Sequence, residues 1–326
     1  MKIKNLFFMS LAALTFAACS NEDAPVPEGT VNFSLASVAT VTKATSSPSI
    51  GAEGTLTSVN IYIYDQAGTT LVKTVPVSST TTSAEVSSNL PAATYKVAAV
   101  ANVTPEKTGS LIDLKTNVIE LSGSKESFAL FGEASDDLVV TTNGGSCPIA
   151  LTRLVAGVQM GDVTFNLEKN VEAKYHWAVE NGKVELVGMN LKKSYKEAFL
   201  GTSLHSGTTD ISTGSLLSAT YGTTISENVI TAPEYSTANR VYGYEATKLD
   251  IQLAVKYTFE DGNAETRFYN IENATTFTAN NLYTVIATIT REGSSTEGDK
   301  DYGVKFTLSV TDWNTGEAID GGNIGN

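Results

Sequence analysis

Apolar and polar residues alternate along much of the chain. Val59-Asn60-Ile61-Tyr62-Ile63-Tyr64 ends at Asp65-Gln66-Ala67-Gly68, and residues 70–75 form a second apolar-rich run. This pattern predicts a strand, a hairpin turn and an antiparallel return. After Leu90-Pro91-Ala92-Ala93-Thr94, another strand is predicted over 95–101. Further strands are predicted over 163–167, 184–191, 249–259, 283–290 and 304–310. In the last, Tyr302, Val304, Phe306, Leu308 and Val310 share one face, with Lys305, Thr307 and Ser309 on the other. That is the period-2 signature of a strand with one buried face. Long amphipathic helical periodicity is missing. The segments 118–130 and 194–200 are the predicted places for short helical turns.

The two halves resemble each other weakly. Residues 31–41 lead to Leu56-Thr57-Ser58-Val59-Asn60-Ile61-Tyr62, as 154–167 lead to Val184-Glu185-Leu186-Val187-Gly188-Met189-Asn190. Later, Ala93-Thr94-Tyr95-Lys96-Val97-Ala98-Ala99-Val100 is echoed by Asn281-Leu282-Tyr283-Thr284-Val285-Ile286-Ala287-Thr288. Such repetition predicts an all-β chain of two β-sandwiches in tandem. With the boundary at the turn Gly144-Gly145-Ser146-Cys147-Pro148, they cover 44–147 and 148–310, leaving a tail over 311–326.

The start of the chain reads differently. Lys2 and Lys4 precede an apolar run over 6–18, too short to span a bilayer but suited to a signal peptide over 1–18. The run ends Phe16-Ala17-Ala18-Cys19, which resembles a lipobox, with Phe16 in place of the usual aliphatic residue. Cys19 is therefore the expected lipidation site; ordinary signal cleavage beside an incidental Cys is the alternative. Ser20-Asn21-Glu22-Asp23 resembles the acidic tag of exported Bacteroidetes lipoproteins. Cys147 is the second of 2 cysteines and, with Cys19 lipidated, has no disulfide partner, so it reads as a buried, inert thiol.

Only 17% of residues are charged and the formal net charge is −13, which disfavours nucleic acid and anionic membrane as partners. Membrane attachment is expected only through the precursor's lipid. Chemistry-bearing motifs are scarce. The 2 histidines, His176 and His205, stand in no metal-ligand spacing. Asp136-Asp137 and the acidic stretch 297–301 match no EF-hand loop and read as solvated. No nucleophile elbow, P-loop or dinucleotide fingerprint occurs. No catalytic residue, metal or cofactor is therefore expected. The 13 Tyr, 12 Phe and 2 Trp are spread along strands and read as core, not as a sugar platform.

Several segments together resemble the fimbrillin family, the subunits of the type V pili of Bacteroidales. Besides the lipobox and acidic tag, they are Val31-Asn32-Phe33-Ser34-Leu35-Ala36-Ser37-Val38 followed by Val41-Thr42-Lys43-Ala44, the strand over 59–64, and Ala150-Leu151-Thr152-Arg153-Leu154-Val155-Ala156. The set closes with Asn280-Asn281-Leu282-Tyr283-Thr284-Val285 and Val310-Thr311-Asp312-Trp313, so it covers nearly the whole chain. The resemblance implies two transthyretin-like (Greek-key) sandwiches and a lipoprotein precursor. It also implies a trypsin-like protease that cuts beyond the first strand. The best match is the Lys43–Ala44 bond, although many relatives carry Arg at that place. Residues 19–43 are then a lipidated propeptide that includes the first strand.

Val31, Phe33 and Leu35 fall on one face of that strand, with Val38 just beyond. Burying four such side chains contributes roughly 6–12 kcal/mol as an upper bound. Their removal would open an apolar groove between unpaired strand edges, and such an edge recruits another strand. The expected donor is the C-terminal tail, with Trp313, Ala318, Ile319 and Ile324 as anchors; a longer donor beginning near Val304 is the variant. Head-to-tail donation builds a filament. The charges of residues 1–43 cancel, so the cut leaves the net charge at −13 and charge attraction is not the assembly force. The expected product is an extracellular stalk subunit, partnered by copies of itself, by tip and anchor subunits and by host surface ligands. A tip adhesin, an anchor that keeps its lipid, and a monomeric glycan-binding lipoprotein are the alternatives.

Overall fold

The structure is a computed structural model of the 326-residue chain. It describes residues 26–37, 56–78, 83–121, 125, 127–192, 194–201, 205–211, 217–232, 239–246, 248–273, 276–297, 303–312 and 318–319. The first half supplies β1 (Glu28–Ser37), β2 (Val59–Asp65), β3 (Leu71–Val77), β4 (Ser83–Pro91), β5 (Thr94–Ala101), β6 (Val118–Glu120), β7 (Leu130–Glu133), β8 (Leu138–Val139) and β9 (Gly145–Arg153). One sheet runs in the order β3-β2-β5-β7-β9-β1-β4, with β8 on β5. The hairpin forms where the sequence predicts it. Asp65 Oδ1 accepts from the Thr69 and Thr70 amides at 2.7 and 3.1 Å, and Gly68 takes a φ of 72°.

The second half supplies β10 (Val155–Phe165), β11 (Val184–Leu191), β12 (Ser194–Phe199), β13 (His205–Ile211), β14 (Ser218–Thr224), β15 (Val229–Ile230) and β16 (Arg240–Tyr244). It continues with β17 (Leu249–Thr258), β18 (Ala264–Asn273), β19 (Asn281–Ile289), β20 (Val304–Asp312) and β21 (Ala318–Ile319). These form one sheet in the order β15-β10-β19-β20-β21, with β16 on β10, and another in the order β14-β11-β17-β18. The chain is thus all-β, as its alternation predicts.

Apolar side chains collect in three clusters. The first joins β1, β2, β5 and β9 through Phe33, Ile61, Val97 and Ile149. The second lies between the two sheets of the second half and contains Met160, Leu186, Leu253 and Val285. The third sits at the junction, where Tyr64, Leu114 and Phe131 meet Ala198, Tyr242 and Leu282. Strand pairing reinforces the junction, because β6 joins β12 and β13 in a sheet of their own. Lys125 adds two hydrogen bonds, to Ser218 O at 3.0 Å and Arg240 O at 2.7 Å.

Helices form elsewhere than predicted. The segments 118–130 and 194–200, predicted to turn helically, contain β6 and β12 and pair with each other, Ala198 opposite Ile119. Pairing across about eighty residues of sequence leaves no local signal, so tertiary contact overrides propensity. The helices are α1 (Leu111–Lys115) and α2 (Ala173–Glu180). Ser110 Oγ caps α1 by accepting from the Asp113 amide at 3.0 Å. α2 buries Tyr175, Ala178 and Val179, the i, i+3, i+4 stripe of an amphipathic helix.

The division expected between residues 147 and 148 falls inside β9, which pairs with β1 and β7 of the first sheet. Cys147, Ile149 and Leu151 point inward at alternate positions, so the strand carries that core to residue 153. The repeat holds in part. β1 and β10 each have an antiparallel neighbour on one side and a parallel one on the other, β4 and β9 in one case, β16 and β19 in the other. The echo between 93–100 and 281–288 does not hold, since β5 pairs with β2 whereas β19 pairs with β10. A Tyr after a turn marks the start of a strand, not its partner.

Candidate functional site: the first strand and its slot

β1, the first described strand, is an interior strand of its sheet. On one side it runs antiparallel to β4, from Glu28 opposite Pro91 to Ala36 opposite Ser83. On the other it runs parallel to β9, from Val31 opposite Gly145 to Ser37 opposite Leu151. Removing it would leave two ladders unpaired at once. Its side chains alternate strictly. Val31, Phe33 and Leu35 are 0%, 1% and 2% exposed, while Asn32 and Ser34 face solvent. Polar contacts line the outer face, Ser87 Oγ donating to Asn32 Oδ1 at 2.6 Å and Thr30 Oγ1 to Asn89 Oδ1 at 2.9 Å. At the entrance the Ala92 amide donates to Pro27 O at 2.8 Å.

One inward position holds no side chain. Gly29 is buried two residues before Val31, on the same face. A Cβ there would meet Thr141 O at 2.0 Å and Gly144 Cα at 3.0 Å. Gly144 itself has a φ of 90°, and a Cβ on it would meet Thr30 O at 2.2 Å. Backbone therefore touches backbone at the mouth of the slot, which only glycine permits. Sequence reading missed both residues; a glycine in register with the inward-facing Val31, Phe33 and Leu35 was the available signal.

Cys147 lines the slot directly opposite Phe33. It is 3% exposed, and burial pushes its thiol up to about 11, the inert state expected of it.

The other predicted positions fall as follows. Cys19, Val38, Lys43, Ala44, Trp313 and Ile324 lie outside the described residues. Ala318 and Ile319 form β21, which returns antiparallel onto β20, Ile319 opposite Val310 and Ala318 opposite Thr311. β20 pairs along its length with β19. Its Leu308 and Val310 are buried, whereas Val304 and Phe306 are only partly so. His176 on α2 has Nε2 3.2 Å from Glu168 O, and His205 opens β13 opposite Ala198. Asp137 pairs with Lys96 at 2.8 Å and Glu297 with Lys192 at 3.1 Å, while residues 298–301 lie outside the described residues. Among the described residues, no three His, Cys, Asp or Glu side chains gather as a metal site would require, and no helix is long and apolar enough to cross a membrane.

Comparison with known proteins agrees with this architecture. A family model described as fimbrillin-A associated anchor proteins Mfa1 and Mfa2 matches residues 22–317. Among solved structures, a fimbrilin, FimA, of Porphyromonas gingivalis W83 superposes with a TM-score of 0.60 at 17% identity, covering 87% of this chain and 97% of that one. A candidate cell adhesion protein of Bacteroides eggerthii gives 0.58 at 14% identity, covering 90% and 98%. A fimbrial assembly protein of Parabacteroides distasonis gives 0.51 at 12%, covering 90% and 98%. At such identities the likeness is one of fold. A search of curated protein sequences finds no significant match.

Proposed function

Because this chain belongs to the family of fimbrillin-A associated anchor proteins Mfa1 and Mfa2, a family of fimbrial proteins and not of enzymes, we propose that it is a stalk subunit of a surface fimbrium, assembled by strand exchange. A lipoprotein precursor, lipidated at Cys19, reaches the cell surface. A trypsin-like protease cuts at Lys43–Ala44 and frees the segment carrying Val31, Phe33, Leu35 and Val38. The C-terminal segment of another copy then fills the slot.

The single observation that carries this reading is the position of β1. It is the first described strand, yet it is seated in the middle of a sheet, bonded on both sides and buried on one face. A terminal strand so placed can be removed by one cut, and its loss exposes an apolar groove that only another strand can satisfy. β10, its counterpart in the second half, is continued by chain at both ends and is not removable in this way. On this reading the sandwiches divide at Leu154, after β9. Copies of the same chain are the main partners, with tip and anchor subunits at the fibre's ends.

A second reading has its own support. The family's description names anchor proteins, and an anchor would keep its lipid and its first strand. N-terminal sequencing of the surface form separates the two. A start at Ala44 supports the stalk reading, and a start at lipidated Cys19 supports the anchor. Trypsin treatment of purified precursor is the direct assay for the exchange. Ladders that resist SDS are expected after the cut, and persistently monomeric cut protein overturns the proposal.

A further inference from the structure

The two walls of the β1 slot are unequal. β9 has a second neighbour, β7, with Leu130 opposite Arg153 and Phe131 opposite Thr152. Its Cys147, Ile149 and Leu151 are buried in the first cluster. β4 has no such support. Among the described residues its ladder is with β1 alone. The two side-chain bonds of the outer face, Thr30 to Asn89 and Ser87 to Asn32, also join it to β1. Two other bonds reach it, Lys73 Nζ donating to Asn89 O at 3.1 Å and Tyr95 Oη donating to Pro91 O at 2.9 Å.

The residues of β4 explain the difference. Glu85, Ser87 and Asn89 are exposed and Ser88 is half-buried. Leu90 is buried, and Val86 is partly so. Ordering each of the 9 residues costs backbone entropy. One leucine and part of a valine cannot offset that sum. β4 therefore owes its order to β1. Leu90 and the Tyr95 bond hold its far end, where Ala92 and Ala93 lead into β5.

Building on the strand-exchange reading, we propose that β4 is a strap: it comes loose when β1 leaves and closes over the strand that arrives. The emptied slot then has one standing wall, β9, and one open side. An incoming strand lies down sideways along the edge of β9. A slot with two fixed walls would instead demand threading from one end. Register is read on the standing wall. The atoms that exclude a side chain at position 29, Thr141 O and Gly144 Cα, belong to the turn that leads into β9 and not to β4. β4 then folds onto the free edge of the occupant, so its ordering is coupled to binding.

Hydrogen exchange reads the strap directly. After the cut and extraction of the first strand, the β4 amides that pair with β1 should exchange at least a hundredfold faster. Glu-C protease should begin to cleave after Glu85, and polymerisation should reverse both changes. Protection of β4 that survives extraction overturns the strap and leaves strand exchange standing. Entry is tested with a synthetic peptide of residues 26–37 added to the extracted protein. Bulky groups on both of its ends should slow binding less than twofold relative to a group on either end alone. A tenfold slowing shows end-on threading and overturns the sideways route. In uncut precursor, Phe33→Ala loosens β1 and is expected to speed exchange in β4 as much as in β1. Gly29→Ala serves in its place if that variant does not fold. β4 amides that keep wild-type rates while those of β1 quicken overturn the strap, whether or not strands exchange. A cut that never releases residues 28–37 overturns strand exchange itself, and the uncut variants still decide the strap.

Discussion

Gly29 and Thr141 meet backbone to backbone: a Cβ built on the glycine would lie 2.0 Å from the threonine's carbonyl oxygen. Neither atom sits on a flexible side chain that could swing aside. Gly29→Ala must therefore push the first strand away from the Thr141–Gly144 turn. We expect the intact precursor to lose about 1–3 kcal/mol, read as a lower urea midpoint with an unchanged slope. An unchanged midpoint would mean that the turn yields freely.

Phe33→Ala tests which molecule the first strand stabilises. The ring is 1% exposed in the first cluster, and such deletions cost about 3–5 kcal/mol. The uncut precursor should show that loss in a denaturant titration. Once cut and polymerised, wild type and variant should melt alike, because under the proposed exchange residue 33 leaves the fibre. A deficit that survives in the polymer would show that the segment stays in place.

Cys147 is a built-in reporter of the slot. Burial moves its thiol from 9.0 to about 11, so at a given pH roughly a hundredfold less thiolate forms than for an unburied thiol. In the precursor, with Cys19 lipidated or replaced by Ser, a thiol reagent at pH 8 should react slowly. Cutting and extraction of the first strand should accelerate the reaction at least tenfold, and polymerisation should slow it again. Equal rates in all three states would show that the strand does not cover the thiol.

A charge cluster on the second half predicts an acid response. Lys174 and Tyr175 donate to Glu265 at 2.9 and 2.7 Å, and Arg267 reaches both Glu265 and Tyr175. These donors, Lys174 first, hold the Glu265 carboxyl down from 4.5 to about 2. Burial and the bond to Glu265 push the Tyr175 phenol up to about 12. A depressed carboxylate stabilises the fold fully above its ordinary range and loses that contribution as pH falls from about 4.5 to about 2. The side chain is 35% exposed, so screening keeps the contribution near or below about 1 kcal/mol. Thermal melts should show Glu265→Gln slightly less stable at pH 7 and less sensitive to acid below pH 4.5. Parallel acid profiles would count against the cluster.

Legibility from sequence followed the range of the signal. β2, β11, β17 and β20 were readable because alternation is local, even where, as in β2, the amphipathic face of Tyr62 and Tyr64 is buried as well. The hairpin at Asp65–Gly68 was readable for the same reason. β6 and β12 were misread because each owes its form to the other. α1 and α2 were missed although Ser110-Leu111-Ile112-Asp113 is a cap signal and Tyr175, Ala178 and Val179 keep helical spacing; both helices are too short to stand out. The inward face of β1 was plain from Val31, Phe33 and Leu35, yet its two partner strands were not. Arg153 is the sharpest exception to the alternation. It continues the inward row of Cys147, Ile149 and Leu151 and lies 1% exposed, a place where polarity alone predicts solvent.

The contrast between β1 and β10 bears on the shape of any assembly. Both sit between an antiparallel and a parallel neighbour, but chain continues from both ends of β10 and cannot let it go. Under the proposed strand exchange, each molecule has a valence of two, one vacancy to be filled and one arm to extend. Units of that valence string into an unbranched thread with distinct ends, and forks would demand a second vacancy that the fold withholds.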